Sequence, residues 1–227
     1  MIVRLAFGAE GALRAALKGH ILVVVDTLRA STTVTTILEN GGVGVVPALT
    51  IEEAVGKARE LLRTRGVGVL LAGERRGLKI PGFDFGNSPL EFTRDVVEGK
   101  IVVLTTTNFT QAVCQAVGAP AVFAGCLRNA SAVAEAAGSE ATKTGRKLTV
   151  VHVGRRGEFS PEDYVTACVI KCFVEGREPP DYKECVLNSP SAKELASIGL
   201  WRDVEYCSQL NASSVVPVIK GGMFVEY

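Results

Sequence analysis

Histidine is nearly absent: His20 and His152 are the only two in 227 residues. A histidine-rich metal centre is thereby excluded, and His152, inside an apolar run, reads as packed rather than catalytic. The six cysteines (114, 126, 168, 172, 185 and 207) contain no C-x-x-C pair, so neither a zinc site nor a dithiol redox site is expected. Cys168 and Cys172 stand four apart in a helical apolar pattern and read as core. Aromatics are scarce too, at 6% of a chain that is 47% hydrophobic. The core must therefore be Val, Leu, Ile and Ala, which suits parallel strands covered by helices. Neither sign of charge dominates: 25 basic and 24 acidic residues leave a net +1. With no basic run interleaved with aromatics, a nucleic-acid partner is not expected. No apolar stretch approaches the ~20 residues of a membrane helix, and no leader-like segment precedes the strand-like Ile2–Phe7. A soluble cytoplasmic protein without a membrane partner is the expectation.

What is present is concentrated in Ile21–Asn40, ILVVVDTLRASTTVTTILEN. The β-branched run Ile21–Val25 reads as a strand buried on both faces. It ends on Asp26, followed by Arg29, the hydroxyls of Ser31, Thr32 and Thr33, and a helical pattern through Val34, Ile37 and Leu38. A guanidinium and helix N-terminal amides attract an anion. A carboxylate suits a hard cation. Phosphate with magnesium is the simplest ligand pair that uses all of these groups.

Strand and helix patterns alternate along nearly the whole chain, with no linker that would divide it. The expected fold class is α/β: one three-layer α/β/α domain over residues 1–227, with a mainly parallel sheet that can include mixed pairing. Thr50 and Glu53 form a capping box, and Ser191 with Glu194 resembles another. Ser88 and Pro89 open a helix, and Val215–Ile219 forms a last strand. Glu162 and Asp163 fall in a helix's first turn, where acids offset the dipole.

Four strand ends carry polar residues that a plain turn does not need: Asp26–Arg29, Gly73–Gly77 (GERRG), Thr105–Asn108 (TTTN) and Gly154–Gly157 (GRRG). In a parallel sheet these ends share one edge, where ligands bind in open α/β folds. The loop from Gly73 to Ser88 adds Glu74, Lys79, Asp84 and Asn87. Its length marks it as functional, and Leu78, Ile80, Phe83 and Phe85 can anchor it.

VVDTLRAST, GERRGLKIPGFDFGNSPLEF, TTTNFT and GEFSPEDYVTA, in this order and spacing, resemble the 2-phosphosulfolactate phosphatase (ComB-like) family. The likeness extends to SIGLWRDVEYC and VVPV near the end. It implies an α/β/α fold and a dimer or higher assembly. It also implies a magnesium-dependent acid phosphatase that hydrolyses 2-phospho-3-sulfolactate to 3-sulfolactate on the route to coenzyme M. One departure is Phe109, where the family pattern has glycine; a bulky residue there is expected to narrow the backbone approach to substrate.

Other phosphatase chemistries fail on the letters. Asp26 lacks the second carboxylate of a D-x-D nucleophile motif, no cysteine is followed by C-x5-R, and R-H-G is missing. Metal-assisted attack by water remains. The expected metal set is Asp26, Glu74 and Asp84 around Mg²⁺, with Arg29 as a further catalytic group. The expected substrate contacts are Ser31, Thr32, Arg75, Arg76, Asn87, Ser88, Thr106, Thr107, Asn108, Arg155 and Arg156. Two rivals stand beside this reading: a phosphatase for another small phosphorylated hydroxy acid, and a non-catalytic phosphate- or nucleotide-binding regulator.

Overall fold

The apolar runs form strands where β-branched residues cluster, and the computed structural model describes them within residues 2–227. The strands are β1 (Val3–Phe7), β2 (Ile21–Val25), β3 (Gly44–Pro47), β4 (Val69–Arg75), β5 (Leu78–Lys79), β6 (Ile101–Thr105), β7 (Val122–Gly125), β8 (Leu148–His152), β9 (Pro217–Lys220) and β10 (Met223–Glu226). The helices are α1 (Gly8–Leu17), α2 (Ala30–Glu39), α3 (Ile51–Arg65), α4 (Arg94–Val97), α5 (Phe109–Gln115), α6 (Ala130–Thr144), α7 (Pro161–Val174), α8 (Lys183–Leu187), α9 (Pro190–Ser197) and α10 (Trp201–Cys207). Strands β2, β6 and β8 are buried at every position, as continuous Val/Ile/Leu runs require when helices cover both faces.

The ten strands form one sheet in the order β1-β8-β2-β7-β9-β10-β3-β6-β4-β5. It holds two parallel blocks, β1-β8-β2-β7 and β3-β6-β4, joined by the antiparallel hairpin β9–β10. Both joints, Phe123 with Val218 and Phe224 with Val45, are antiparallel. The blocks therefore run in opposite directions, and the expectation that all strand ends share one edge of a flat parallel sheet is corrected. The ends nevertheless meet, since Asp26, Glu74, Thr107 and Gly154 line one cleft, as a strongly twisted and coiled sheet allows. At about 20–25° per neighbouring pair, the six steps from β2 to β4 turn the strand direction by more than a right angle.

Three layers follow. One core joins Leu22, Val24, Val102 and Leu104 of the sheet to α1, α2 and α5. On the reverse of the first block, Ile21, Val23 and Val25 pack on α6 and α7. On the reverse of the second, Val46, Ile101 and Val103 pack on Ala54 and Ala58 of α3. Thr50 caps α3 by accepting from the Glu53 amide at 3.1 Å. All six cysteines are free.

Two segments differ from expectation. The final strand is a hairpin, because Gly221 and Gly222 at φ 59° and 81° supply the two left-handed residues of a tight turn. The helix expected from Ser88 is a three-residue 3₁₀ turn, Pro89–Glu91, whose Glu91 accepts from the Gly86 amide. Phe224 is fully buried against Phe109, ring centroids 5.9 Å apart, at the joint between the blocks. Phe224→Ala should cost about 3–5 kcal/mol, read from urea denaturation; a loss below about 1 kcal/mol would show that the hairpin does not couple the blocks.

Candidate active site

Strand β2 delivers Asp26 into a cleft built from both blocks. Its walls include Arg29, Glu74, Arg76, Asn87, Thr107, Asn108, Arg155, Arg156, Glu162 and Asp163, with Ser191, Glu194 and Leu195 from α9. The cleft has a volume of about 80 Å³ and opens to solvent, a size in keeping with a small molecule. The four polar strand ends thus meet here, although their strands belong to blocks of opposite direction.

Two of those ends are the same device. Arg75 pairs with Leu78 across the β4–β5 turn, and Arg155 pairs with Glu158 in a similar bridge. At the tips, Arg76-Gly77 and Arg156-Gly157 have φ of 55°, 78°, 52° and 82°. Positive φ at both central residues makes each a type I′ turn. A non-glycine residue held left-handed is strained, and such residues cluster at ligand clamps. Each turn presents its second arginine to the cleft.

Acids crowd the floor. Asp26 is buried, and burial, reinforced by the charges of Glu74 and Glu162, pushes its carboxyl up to about 7 against the opposing Ala30 amide and Arg29. Asp163 is raised as well, by burial and then by Asp26 and Glu162. Two amides oppose that shift: Thr27 donates to Asp163 Oδ1 at 2.8 Å and Gly154 to Oδ2 at 3.0 Å. Asp163 thus bolts the loop after β2 to the loop after β8. Glu162 is buried and its Oε2 has no partner. Asn87 also lines the cleft, and its buried Oδ1 is likewise unpartnered. A buried oxygen left unsatisfied costs roughly 1–3 kcal/mol, so these atoms are suited to a ligand that supplies positive charge or a donor.

The cations are held differently from one another. Arg29 is buried, donating to Asp203 Oδ2 at 2.6 Å and to the Gly77 carbonyl at 3.0 Å; the Leu28–Arg29 peptide is cis. Ser88 Oγ donates to the other Asp203 oxygen at 2.7 Å, so Ser88 acts on Arg29 through Asp203. Arg76 is exposed at the mouth. Arg155 and Arg156 both pair with Glu194.

Several expected site residues are engaged elsewhere. Asp84 lies outside the cleft and accepts from the Leu71 amide at 2.7 Å, fixing the loop after β5 to β4. The set Asp26, Glu74 and Asp84 is therefore not assembled. Glu74 does face Asp26, but Oε1 accepts from the amide and hydroxyl of Thr107 and Oε2 from the Gly77 amide, each at 2.8 Å. Ser31 Oγ is turned back on the Asp26 carbonyl, and Thr32 Oγ1 on the Thr27 carbonyl. Thr33, Thr35 and Thr36 bond to carbonyls one turn back. These hydroxyls satisfy the buried helix α2 rather than a ligand. Thr106 exchanges bonds with Thr110, and Arg75 is spent on the Glu74 carbonyl and Thr105 Oγ1. Asn108 remains at the cleft and accepts from the Arg156 amide at 3.0 Å. Phe109 points into the core onto Phe224, so it does not narrow the approach to the cleft.

From sequence alone Glu194 reads as a capping-box partner of Ser191 and Glu162 as a helix-start acid, while Asp203 has no assigned role. Ser189, not Ser191, caps α9, accepting from the Ala192 amide at 3.1 Å, which frees Glu194 for the arginines. Asp203 pairs with Arg29, 174 positions away, and nothing in its local sequence marks that pairing.

With this geometry in place, comparison with known proteins is direct. A family model described as 2-phosphosulpholactate phosphatase matches residues 9–222. A relative from Clostridium acetobutylicum is 35% identical over 98% of this chain and 99% of its own length. Others from Clostridium perfringens and Thermotoga maritima are 38% and 37% identical, covering 91% and 89% of this chain and 89% and 90% of their own. Each is named a probable 2-phosphosulfolactate phosphatase. Among the described residues no helix is long and apolar enough to cross a membrane.

The crowded floor has a measurable consequence. Folded Asp26 keeps its proton to about pH 7, whereas an unfolded aspartate loses it near about 3.9. Between those values folding takes up a proton, so stability falls as pH rises. In EDTA, Asp26→Asn should raise the melting temperature at about pH 8 and leave it nearly unchanged at about pH 4; a lower melting temperature at the higher pH would contradict the assigned shift.

Proposed function

The chain belongs to the 2-phosphosulpholactate phosphatase family, and from that premise we propose that it hydrolyses 2-phospho-3-sulfolactate to 3-sulfolactate and phosphate, with Mg²⁺ assisting attack by water. The reading extends to the route to coenzyme M, as the family likeness implies. One observation carries the reaction chemistry: buried carboxylates and arginines converge on one small cleft, with the Oε2 of Glu162 left without a partner beside Asp26. Acids facing a phosphate repel it unless a cation stands between them. A module that only binds anions gains nothing from this arrangement.

The donor set fits magnesium. It is all oxygen, and the histidines are engaged elsewhere: His20 with Thr149 and His152 among aromatic rings. Among the described residues no three acidic, thiol or imidazole side chains form a ready cage. An ion bound here would be held by one or two carboxylates with retained waters, which is a habit of Mg²⁺. Asp26 and Glu162 are the groups that would hold it. Glu74 contributes negative potential and fixes the Thr107 and Gly77 backbones. When bound, the ion supplies positive charge opposite the phosphoryl oxygens and makes a coordinated water more acidic.

The chain's own residues do the rest. Arg29, fixed by Asp203 and the Gly77 carbonyl, retains N–H groups for phosphate oxygens. Arg76 adds charge at the mouth. The backbone around Thr107 and Asn108 sets the opposite wall. Holding the ester in one orientation and stabilising charge on the transferred group account for most of the catalysis expected of a phosphoryl-transfer site. With Phe109 buried away from the cleft, the main ground for a different hydroxy-acid substrate falls away.

Phosphate release should be measured with phosphosulfolactate and phospholactate, with and without EDTA. Release is expected from phosphosulfolactate, is abolished by EDTA and is restored by Mg²⁺. Asp26→Asn and Glu162→Gln should each lower kcat more than about a hundredfold, whereas Asp84→Asn should stay within about threefold. Full activity in EDTA, or loss with Asp84→Asn alone, would refute this assignment.

A further inference from the structure

Arg155 and Arg156 face the cleft, yet their charge is already answered. Glu194, on the α9 wall, bridges them: Oε2 meets Arg155 Nη2 and Oε1 meets Arg156 Nη2 at 2.8 Å. A carboxylate spanning two guanidinia makes the contact that a ligand's own sulfonate or carboxylate would make. All three side chains line the cleft and remain about one-third to one-half exposed. Water and ligand can therefore reach the bridge.

The contrast with Arg29 decides what the bridge is for. Asp203, the partner of Arg29, is 2% exposed and also accepts from Ser88, so that pair is a permanent fixture. The Glu194 bridge is open, and its arginine side is built for a ligand. Arg156 is held left-handed at the tip of its turn, with its amide fixed by Asn108 of the opposite wall. The Glu194 side is lightly held. Among the described residues, helix α9 rests on a small satellite core of buried Ala192, Leu195 and Val204 with partly buried Leu28, Leu187 and Leu200 around it, and elements with few buried contacts shift most readily.

We propose that Glu194 is a resident counter-anion for the substrate's second acidic group. On binding, the sulfonate or carboxylate that accompanies the phosphate displaces Glu194 from Arg155 and Arg156 and takes its place between them. The identity of that acid rests on the phosphosulfolactate reading; the exchange itself rests on the bridge. Glu194 then sets specificity. A phosphate ester with no further acid leaves the bridge closed and competes poorly, whereas a ligand bearing one trades an equivalent anion for it. A glutamine at this position keeps the shape but gives up the charge that must be displaced.

The test is calorimetric titration of wild type and Glu194→Gln with two separate probes in Mg²⁺: 3-sulfolactate, which carries two acids and no phosphate, and inorganic phosphate. 3-Sulfolactate should bind Glu194→Gln about three- to tenfold more tightly than wild type. Phosphate affinity should not change, and neither should the melting temperature. Equal or weaker 3-sulfolactate binding by the variant, an equal tightening for phosphate, or no 3-sulfolactate binding by either protein would overturn the proposal. Failure of wild type to release phosphate from phosphosulfolactate would count against the hydrolytic reading alone, since the two affinities decide the role of Glu194 without turnover.

Discussion

Several carboxylates share one buried corner, and much of the site follows from how their mutual repulsion is handled. Asp163 is answered by two backbone amides, and Glu74 by two amides and a hydroxyl. In both cases the backbone groups lie in loops that follow different strands, so neutralising the acid also fastens the walls of the cleft. Asp26 and Glu162 are left with fewer donors. Burial and neighbouring charge push the Asp26 carboxyl up to about 7, and Glu162 keeps an unpartnered oxygen. A proton relieves part of that strain, and a divalent cation would relieve more.

The sheet sets the stage for this corner. Two parallel blocks of opposite direction would, if flat, carry their C-terminal ends on opposite edges. Twist accumulated through the β9–β10 hairpin turns one block against the other, so loops after β2 and β8 face loops after β4 and β6. The same joint is packed by Phe109 and Phe224, which places a residue at the start of α5 in the core while its neighbour Asn108 stays in the cleft. Charge at the mouth is arranged in three ways: Arg29 is fixed by a buried partner, Arg76 extends toward solvent, and Arg155 and Arg156 share an accessible one.

Much of this could be read from the letters, for definite reasons. The run ILVVV followed by Asp and Arg marks a buried strand with a polar end, because no packing need explains those charges. GERRG and GRRG stand out as polar strand ends, and each presents an arginine to the cleft. Hydroxyls were less legible: Ser31 and Thr32 look like anion donors, but at the start of a helix buried nearly throughout they bond back to the Asp26 and Thr27 carbonyls. Asp84 reads as a metal ligand because it sits in a long functional-looking loop, but an acid in a glycine-rich loop also serves local structure, and it tethers its loop to the Leu71 amide. Glu194 and Asp203 lie far along the chain from Arg155 and Arg29, and pairings of that range leave no trace in local spacing. The opposed blocks were hidden because the hairpin that creates them lies in the final strands, where only one strand was expected.

If magnesium binds as proposed, the proton on Asp26 and the ion compete for the same place. Mg²⁺ titration followed by calorimetry in two buffers of different ionisation enthalpy, at a pH near 6.5 and without substrate, measures this directly because it counts protons released. The account predicts one ion bound per chain, with net proton release that disappears in Asp26→Asn. Binding without proton release, or no binding in the absence of substrate, would contradict it.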